Sequence, residues 1–434
     1  MANRKNIVLI GLILLSSRVA SQPQEQRINS WIKRNSHEIT TTGFETPQND
    51  LLFLEELLKN KKIVSMGEAT HGTSEFAAIK SRFFKFLALR LNFNVIAFEA
   101  DFSKALAVNE YILGKRDDGE NALKSLDFLL CVNKETLTLI NWMREYNSQA
   151  SSAEKIKFYG FDFYSVKTAL DRIHEFLAQV DADFAAKIKK IEMIESPHPY
   201  AGPYVKTNDI EIIEKKLNAD SVVYIRNSSY KEWRLANHLV TNLKYAFIVN
   251  YEGEVGLRDS LMKENTDWII NFEGNNTKIM LSAHNEHVAY DSMFTSNFDS
   301  QFKKMGLLLK ETYKEQLYTI GFDFNRGEFY TNTPVGYRKV RLTLFEIGDA
   351  PKDWLAWQFS QAGKELLFTN LANAVDNESV TDWLEQRHKI RSVGVVFFEE
   401  WKNDPDNFYY PCYLSKSFDG LIFINKTHGI TRLN

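Results

Sequence analysis

Short apolar runs alternate with amphipathic stretches along most of this chain, and that alternation predicts an α/β fold. The runs at residues 63–66, 95–98, 156–161 and 278–283 are largely apolar, as expected of strands buried on both faces of a sheet. Between them, residues 74–91, 104–113 and 136–147 carry apolar positions at helical spacing. Strands separated by helices of this length imply a central, mostly parallel sheet flanked by helices. Residues 166–272 hold no comparable strand and mix charged with apolar positions in a helical pattern, so they read as a large helical insertion. Further strand candidates at 318–324, 338–345, 365–369 and 393–398, some of them antiparallel, extend the sheet. Upstream, residues 22–50 read as a partly helical lead-in around Trp31-Ile32, with Asp50 placed to cap a helix running to Leu58.

Two of the buried runs are followed directly by histidine-bearing turns, Gly67-Glu68-Ala69-Thr70-His71-Gly72 and His284-Asn285-Glu286-His287. The carboxyl ends of parallel strands share one edge of a sheet, so residues just past those ends meet in space however far apart they lie in sequence. A third run ends on Glu99 at the same edge. The expected site therefore gathers His71, His284, His287, Glu68 and Glu99, a set suited to moving protons at neutral pH.

The helix predicted after the first cluster adds a cation. Phe76, Phe83, Phe84 and Leu87 fall on one face, and Lys80 lies about 40° from Phe76, inside that apolar stripe, while Arg82 and Lys85 point away from it. A lysine turned toward a core needs a partner, and Glu68 and Glu99 are the nearest candidates. The alternative is a lysine that lays its stem on the stripe and reaches solvent. His284 and His287 with Glu68 or Glu99 are also possible zinc ligands, though their spacing matches no established metal motif. The chain lacks Gly-x-Ser-x-Gly, and Ser282 lies within its strand, which disfavours a serine nucleophile. A histidine base acting on water, with a carboxylate fixing its tautomer, is the chemistry that remains.

Composition narrows the partners. With 53 Lys+Arg against 56 Asp+Glu and no basic stripe, nucleic acid is not an expected partner. The 31 Phe, 18 Tyr and 8 Trp are chiefly core material, with enough left to wall a cleft for a bulky apolar ligand. Cys131 and Cys412 are too few and too distant for a disulfide scaffold, and both read as buried apolar residues. Arg4 and Lys5 precede an apolar run at residues 7–15 and the small residues Val19-Ala20-Ser21, the order of a secretory signal peptide over 1–21. That order implies an exported, periplasmic or secreted mature domain spanning 22–434, with no membrane span, since the apolar run is far shorter than about 20 residues.

Five segments in order, Gly67-Glu68-Ala69-Thr70-His71-Gly72-Thr73, Phe98-Glu99-Ala100-Asp101, Tyr159-Gly160-Phe161-Asp162-Phe163-Tyr164-Ser165, Arg258-Asp259-Ser260-Leu261-Met262-Lys263-Glu264-Asn265 and Ala283-His284-Asn285-Glu286-His287-Val288, together resemble the erythromycin esterase family. The resemblance implies hydrolysis of the macrolactone ester of macrolide antibiotics, hence resistance, without metal or other cofactor. By it, His71 activates water, Glu68 and Glu99 hold the catalytic carboxylate positions, and His284 and His287 complete the site. Lys80 stands where family members usually have arginine, keeping the charge without the planar fork. Lys80, with a donating His284 or His287, then stabilises the oxyanion. Asp162, Arg258 and Asn265 are implied in substrate binding or support, with Arg258 positioning an acidic site residue or tying the insertion to the core. Two other readings use the same residues: a related metallohydrolase or esterase of another substrate, and a non-catalytic periplasmic binding protein for a bulky apolar or haem-like ligand.

Overall fold

The computed structural model describes residues 24–433 apart from 129–130, 153, 199–200, 292–301, 337–338 and 375–377. The leader expected over 1–21, and the first residue of the strand expected at 338–345, lie outside the described residues.

The chain is an α/β protein. Its strands are β1 Ser36–Glu38, β2 Ile63–Met66, β3 Val95–Asp101, β4 Lys157–Asp162, β5 Ile279–Ser282, β6 Leu317–Gly336, β7 Lys339–Ile347, β8 Leu366–Asn370, β9 Arg387–Arg391, β10 Tyr409–Tyr413 and β11 Gly420–Thr427. Among the described residues, nine of these form one sheet in the order β1-β8-β11-β6-β2-β5-β3-β4, with β7 joined to β6, while β9 and β10 pair separately. From β11 to β4 every neighbour is parallel, and β1, β8 and β7 join antiparallel. Both β2 and β5 are buried at every position, which is why their sequences carry no charged residue and only small polar ones, Ser65 and Ser282.

The helix Ser74–Leu91 buries Phe76, Ile79, Phe83, Phe84 and Leu87 together with Lys80. It ends on Asn92, whose φ of 60° is a left-handed conformation that asparagine tolerates. Arg82 does point away from that stripe, yet it is fully buried, because residues 41–50 fold over it. Its guanidinium meets Asp50 at 2.5 and 3.1 Å and the carbonyls of Thr41 and Pro47. Asp50 is thus the partner of Arg82 and not a helix cap, and the helix Phe53–Leu58 starts without a side-chain cap. Between β4 and β5 the chain runs through helices including Val166–Val180, Tyr230–Asn250 and Arg258–Glu273.

Besides β1, β9 and β10, which were also not among the expected strands, three features depart from the expected elements. The first is β11, with the apolar run Leu421, Ile422, Phe423 and Ile424, which lies between β6 and β8 in the sheet although it was not among the expected strands. Second, β6 runs far past residue 324 and pairs with β7 from Gly327 to Gly336 as a two-stranded arm. Third, residues 393–398 are not a strand of the sheet: they meet Thr70 and Asn332 through isolated bridges at Val393 and Val396.

Register places the site. Met66, Ser282, Phe98 and Gly160 lie side by side on β2, β5, β3 and β4, so the segments that follow these four strands emerge together at one edge. Two glycines let those segments close in. A side chain at Gly67 would strike the Asn285 carboxamide at 2.1 Å, and one at Gly72 would strike the Tyr330 carbonyl at 1.9 Å. With glycine there, Asn285 N donates to Glu68 O at 2.9 Å, and Tyr330 N donates to Gly72 O at 2.9 Å. The two histidine turns and the β6 arm are thereby fixed to one another through backbone.

Candidate active site

His71, on the turn beyond β2, is held by Glu68. Its Nδ1 lies 2.6 Å from Glu68 Oε1, and the other carboxylate oxygen accepts from Lys80 Nζ. Lys80 also donates to Ser282 Oγ at 3.1 Å. Burial alone would favour the neutral acid, but the charge of Lys80, with the hydrogen bond from His71, overrides it and holds the Glu68 carboxyl at about 2. An ionised Glu68 only accepts, so His71 Nδ1 carries the proton of that bond, and in the neutral ring Nε2 is the acceptor.

A second cluster forms around Arg258, at the start of the helix Arg258–Glu273. Its Nη2 donates to Glu99 Oε1 at 2.9 Å and to Asp162 Oδ2 at 2.6 Å, joining the ends of β3 and β4. His287 sits between two carboxylates, with Nδ1 2.9 Å from Asp259 Oδ1 and Nε2 3.3 Å from Glu99 Oε1. Burial opposes its charge, but Glu99 and Asp259 outweigh burial and raise the ring to about 10. Arg258 Nη1 stands 3.1 Å from the same Nε2. Carboxylates at both ring nitrogens favour the doubly protonated ring, in which the 3.1 Å approach of Arg258 Nη1 is a contact between two donors and not a hydrogen bond, and Arg258 and His287 act as two cations on one acid. The Glu99 carboxyl, despite burial, is accordingly held well below the usual range by His287 and Arg258.

His284 bridges the two clusters and differs from both. Its backbone N donates to Glu99 Oε2 at 2.9 Å, and its ring centroid is 5.2 Å from that of His71. Its Nδ1 accepts from Glu286 N at 3.3 Å, which puts the ring proton on Nε2, a buried atom with no hydrogen-bond partner among the described residues. Burial, then the neighbouring His71, lowers this ring to about 4, so it is neutral at physiological pH.

A cleft of about 660 Å³ opens over His71, Glu99, Asp162, Arg258, His284 and His287, a size suited to a drug-sized molecule. Glu68 and Lys80 do not line it. They lie behind His71, around a cavity of about 30 Å³ shared with Glu99, Ser282 and Cys131, roomy enough for about one water. Asn265 is also behind the site, fully buried, donating to Phe161 O at 3.0 Å and to Asn242 Oδ1 at 3.1 Å, and so ties the helix Arg258–Glu273 to β4. Cys131 and Cys412 are both free thiols.

Asp259, Lys304 and Glu286 were not expected and belong to the site. Lys304 Nζ meets Glu286 at 3.1 Å and Asp259 at 3.5 Å, closing the charge network around His287. The signal for Asp259 was its place beside Arg258 at the start of a helix, where neighbouring residues enter the same cleft. Among the described residues no group of three or more His, Cys, Asp and Glu is arranged to hold a metal ion, and no helix is long and apolar enough to cross a membrane.

Fold and site together describe an α/β protein with a carboxylate-bound histidine at a ligand-sized cleft. The erythromycin esterase family model matches residues 90–427, and the chain belongs to that family, a family of hydrolases. The match begins after Glu68 and His71 and includes Glu99, Asp162, Arg258, His284 and His287. The chain is 21% identical over 436 residues to erythromycin esterase type II of Escherichia coli, covering 92% of this chain and 98% of that protein. It is 23% identical over 346 residues to the putative hydrolase YbfO of Bacillus subtilis, covering 73% of this chain and 76% of that protein. Among solved structures, a Bacillus cereus protein superposes with a TM-score of 0.78 at 21% identity, covering 95% of this chain and all (100%) of the other. A mutant of erythromycin esterase EreC in its open conformation superposes with a TM-score of 0.65 at 16% identity, covering 92% of this chain and 98% of the other. These structural likenesses bear on the fold.

Proposed function

We propose that this protein hydrolyses a carboxylic ester, with a macrolactone as substrate, using water activated by His71. The observation that carries this reading is the orientation of His71: Lys80 keeps Glu68 ionised, Glu68 takes the Nδ1 proton, and Nε2 is left to accept one at the floor of the cleft.

In this mechanism His71 Nε2 takes a proton from water as the water oxygen bonds to the ester carbonyl carbon, and the C=O π pair moves to oxygen. The neutral His284 donates its Nε2 proton in a hydrogen bond to that oxyanion. Collapse of the intermediate re-forms C=O and breaks the bond to the alkoxide oxygen, which recovers the proton from the His71 imidazolium. The sum is the addition of one water, leaving an acid and an alcohol, in one molecule when the substrate is a lactone. Arg258 and His287 hold Glu99 neutralised, so that its charge does not repel the developing oxyanion. Lys80 positions Glu68 and does not reach the oxyanion from its place behind His71.

No metal enters this scheme. The groups a metal would use already have partners, Glu68 on His71, Glu99 on Arg258, and His287 on Asp259, and two fixed cations occupy the same floor. Similarity to a protein named erythromycin esterase type II supports a macrolactone, and opening that ring supports a role in antibiotic resistance. The signal-like order of residues 1–21 supports export.

The test is to incubate the purified protein with 14- and 16-membered macrolides and measure product mass. The expected product is heavier than the substrate by one water with the native protein and is not formed by His71→Ala. Unchanged macrolide with the native protein, or substantial turnover by the variant, refutes the reading.

A further inference from the structure

Three of the exposed large apolar side chains, Tyr164, Val255 and Val395, line the same cleft, with 40%, 59% and 47% of their surface open. Single apolar residues scattered on a surface carry no message. Apolar side chains gathered at a ligand-sized cleft whose floor is charged do, because such sites pair apolar walls with a few placed polar groups. The two valines come from distant parts of the chain. Val255 opens the 3₁₀ turn Val255–Leu257, which leads directly into Arg258. Val395 stands in the 393–398 segment, which was expected as a strand and is not one of the sheet.

Each valine is tied to a group on the cleft floor. Val393 N donates to Ala69 O at 2.7 Å, two residues before His71, and Thr70 bridges Val393. On the other flank of that segment, Asn332 N donates to Val395 O at 3.2 Å and Thr331 Oγ1 to Gly394 O at 3.0 Å. Val395 is therefore pinned between the β6 arm and the His71 turn. Leu257 N donates to Glu254 O at 3.0 Å, closing the turn that carries Val255 three residues from Arg258. A β-branched side chain with one restricted χ1 loses little freedom when a ligand covers it, so valine suits a fixed apolar contact.

We propose that Val255 and Val395 are specificity-determining residues of this site, holding the apolar face of a bulky ester or lactone at the cleft while its carbonyl reaches His71. This rests on the hydrolytic reading above. Selection then depends on how much apolar surface the substrate presents outside the reacting ester, and a small acyl ester gains little from these two side chains.

The test uses Val255→Asn, Val395→Asn and the double variant, with circular dichroism to confirm folding, and compares KM and kcat for a 14-membered macrolactone and for p-nitrophenyl acetate. The expected result for the double variant is a KM for the macrolactone raised about tenfold or more, well beyond any rise for p-nitrophenyl acetate, with kcat much less affected. Replacement by isoleucine at both positions restores the macrolactone KM. Equal changes for the two esters, or an unchanged macrolactone KM, overturns the proposal. Calorimetric binding of the intact macrolactone separates the two levels of inference. If the native protein binds it without turning it over and the double variant binds about tenfold more weakly, the valines keep their role and the hydrolytic reading fails. Absence of binding to the native protein overturns both.

Discussion

His284 and His287 stand on one turn beyond β5, both buried, and their surroundings drive them in opposite directions. His287 has a carboxylate at each ring nitrogen and is raised to about 10; His284 has a backbone N–H at Nδ1, no partner at Nε2 among the described residues, and is lowered to about 4. The deciding neighbours come from elsewhere in the chain: Asp259 from the last helix of the insertion and Glu99 from the end of β3. Residue type and spacing placed both rings at the site, but the elements packed against them set one as a neutral donor and the other as a fixed cation. That division allows a single cleft floor to hold ionised acids and still present a neutral hydrogen-bond donor to a forming oxyanion.

The most disruptive way to break this contrast is to remove the acid that both rings share. Glu99→Ala leaves Arg258 and His287 buried beside each other without their common carboxylate, and loss of one partner from such a network destabilises by about 3–5 kcal/mol. Urea unfolding of the variant should show that loss, and a loss below about 1 kcal/mol would mean that the cluster is not coupled as described. Next comes the neutral ring. His284→Ala should lower kcat by about 10²–10³-fold with little change in the unfolding midpoint, as expected when one donor to an oxyanion is removed; a change confined to KM would place His284 in substrate binding instead. The smallest effect is expected at Lys80→Arg. If Lys80 serves only to keep Glu68 charged, turnover should fall by less than about tenfold, and a larger drop would show that its ammonium has a role beyond Glu68 and Ser282.

Much of this arrangement is legible in the sequence, for identifiable reasons. A fully buried parallel strand has a simple signature, and residues placed just after it have only one place to go, so Glu68, His71, Glu99, His284 and His287 could be brought together from pattern alone. Lys80 was legible because a charge inside an apolar stripe requires a partner. Asp259 was harder to see, because its role depends on how the last helix of the insertion is rotated against β4. Asn265 shows the reverse: its segment fits the family pattern, yet its amide is spent on Phe161 and Asn242 behind the site. Residues 393–398 look like a strand because they are apolar, but two of those side chains serve other surfaces, Val393 against the His71 turn and Val395 at the cleft. The extension of β6 was hidden by Arg326 and Gly327, which pair with the end of β11, and by Pro334, which the two-stranded arm with β7 tolerates and a central strand does not.

The measurement that tests the account most directly is ¹⁵N-edited NMR of the imidazole rings between about pH 5 and about pH 8, where an unperturbed histidine titrates. The account predicts that His287 remains protonated on both nitrogens across that range while His284 remains neutral with its proton on Nε2. Two rings that both titrate near the ordinary value of 6.5 would contradict it.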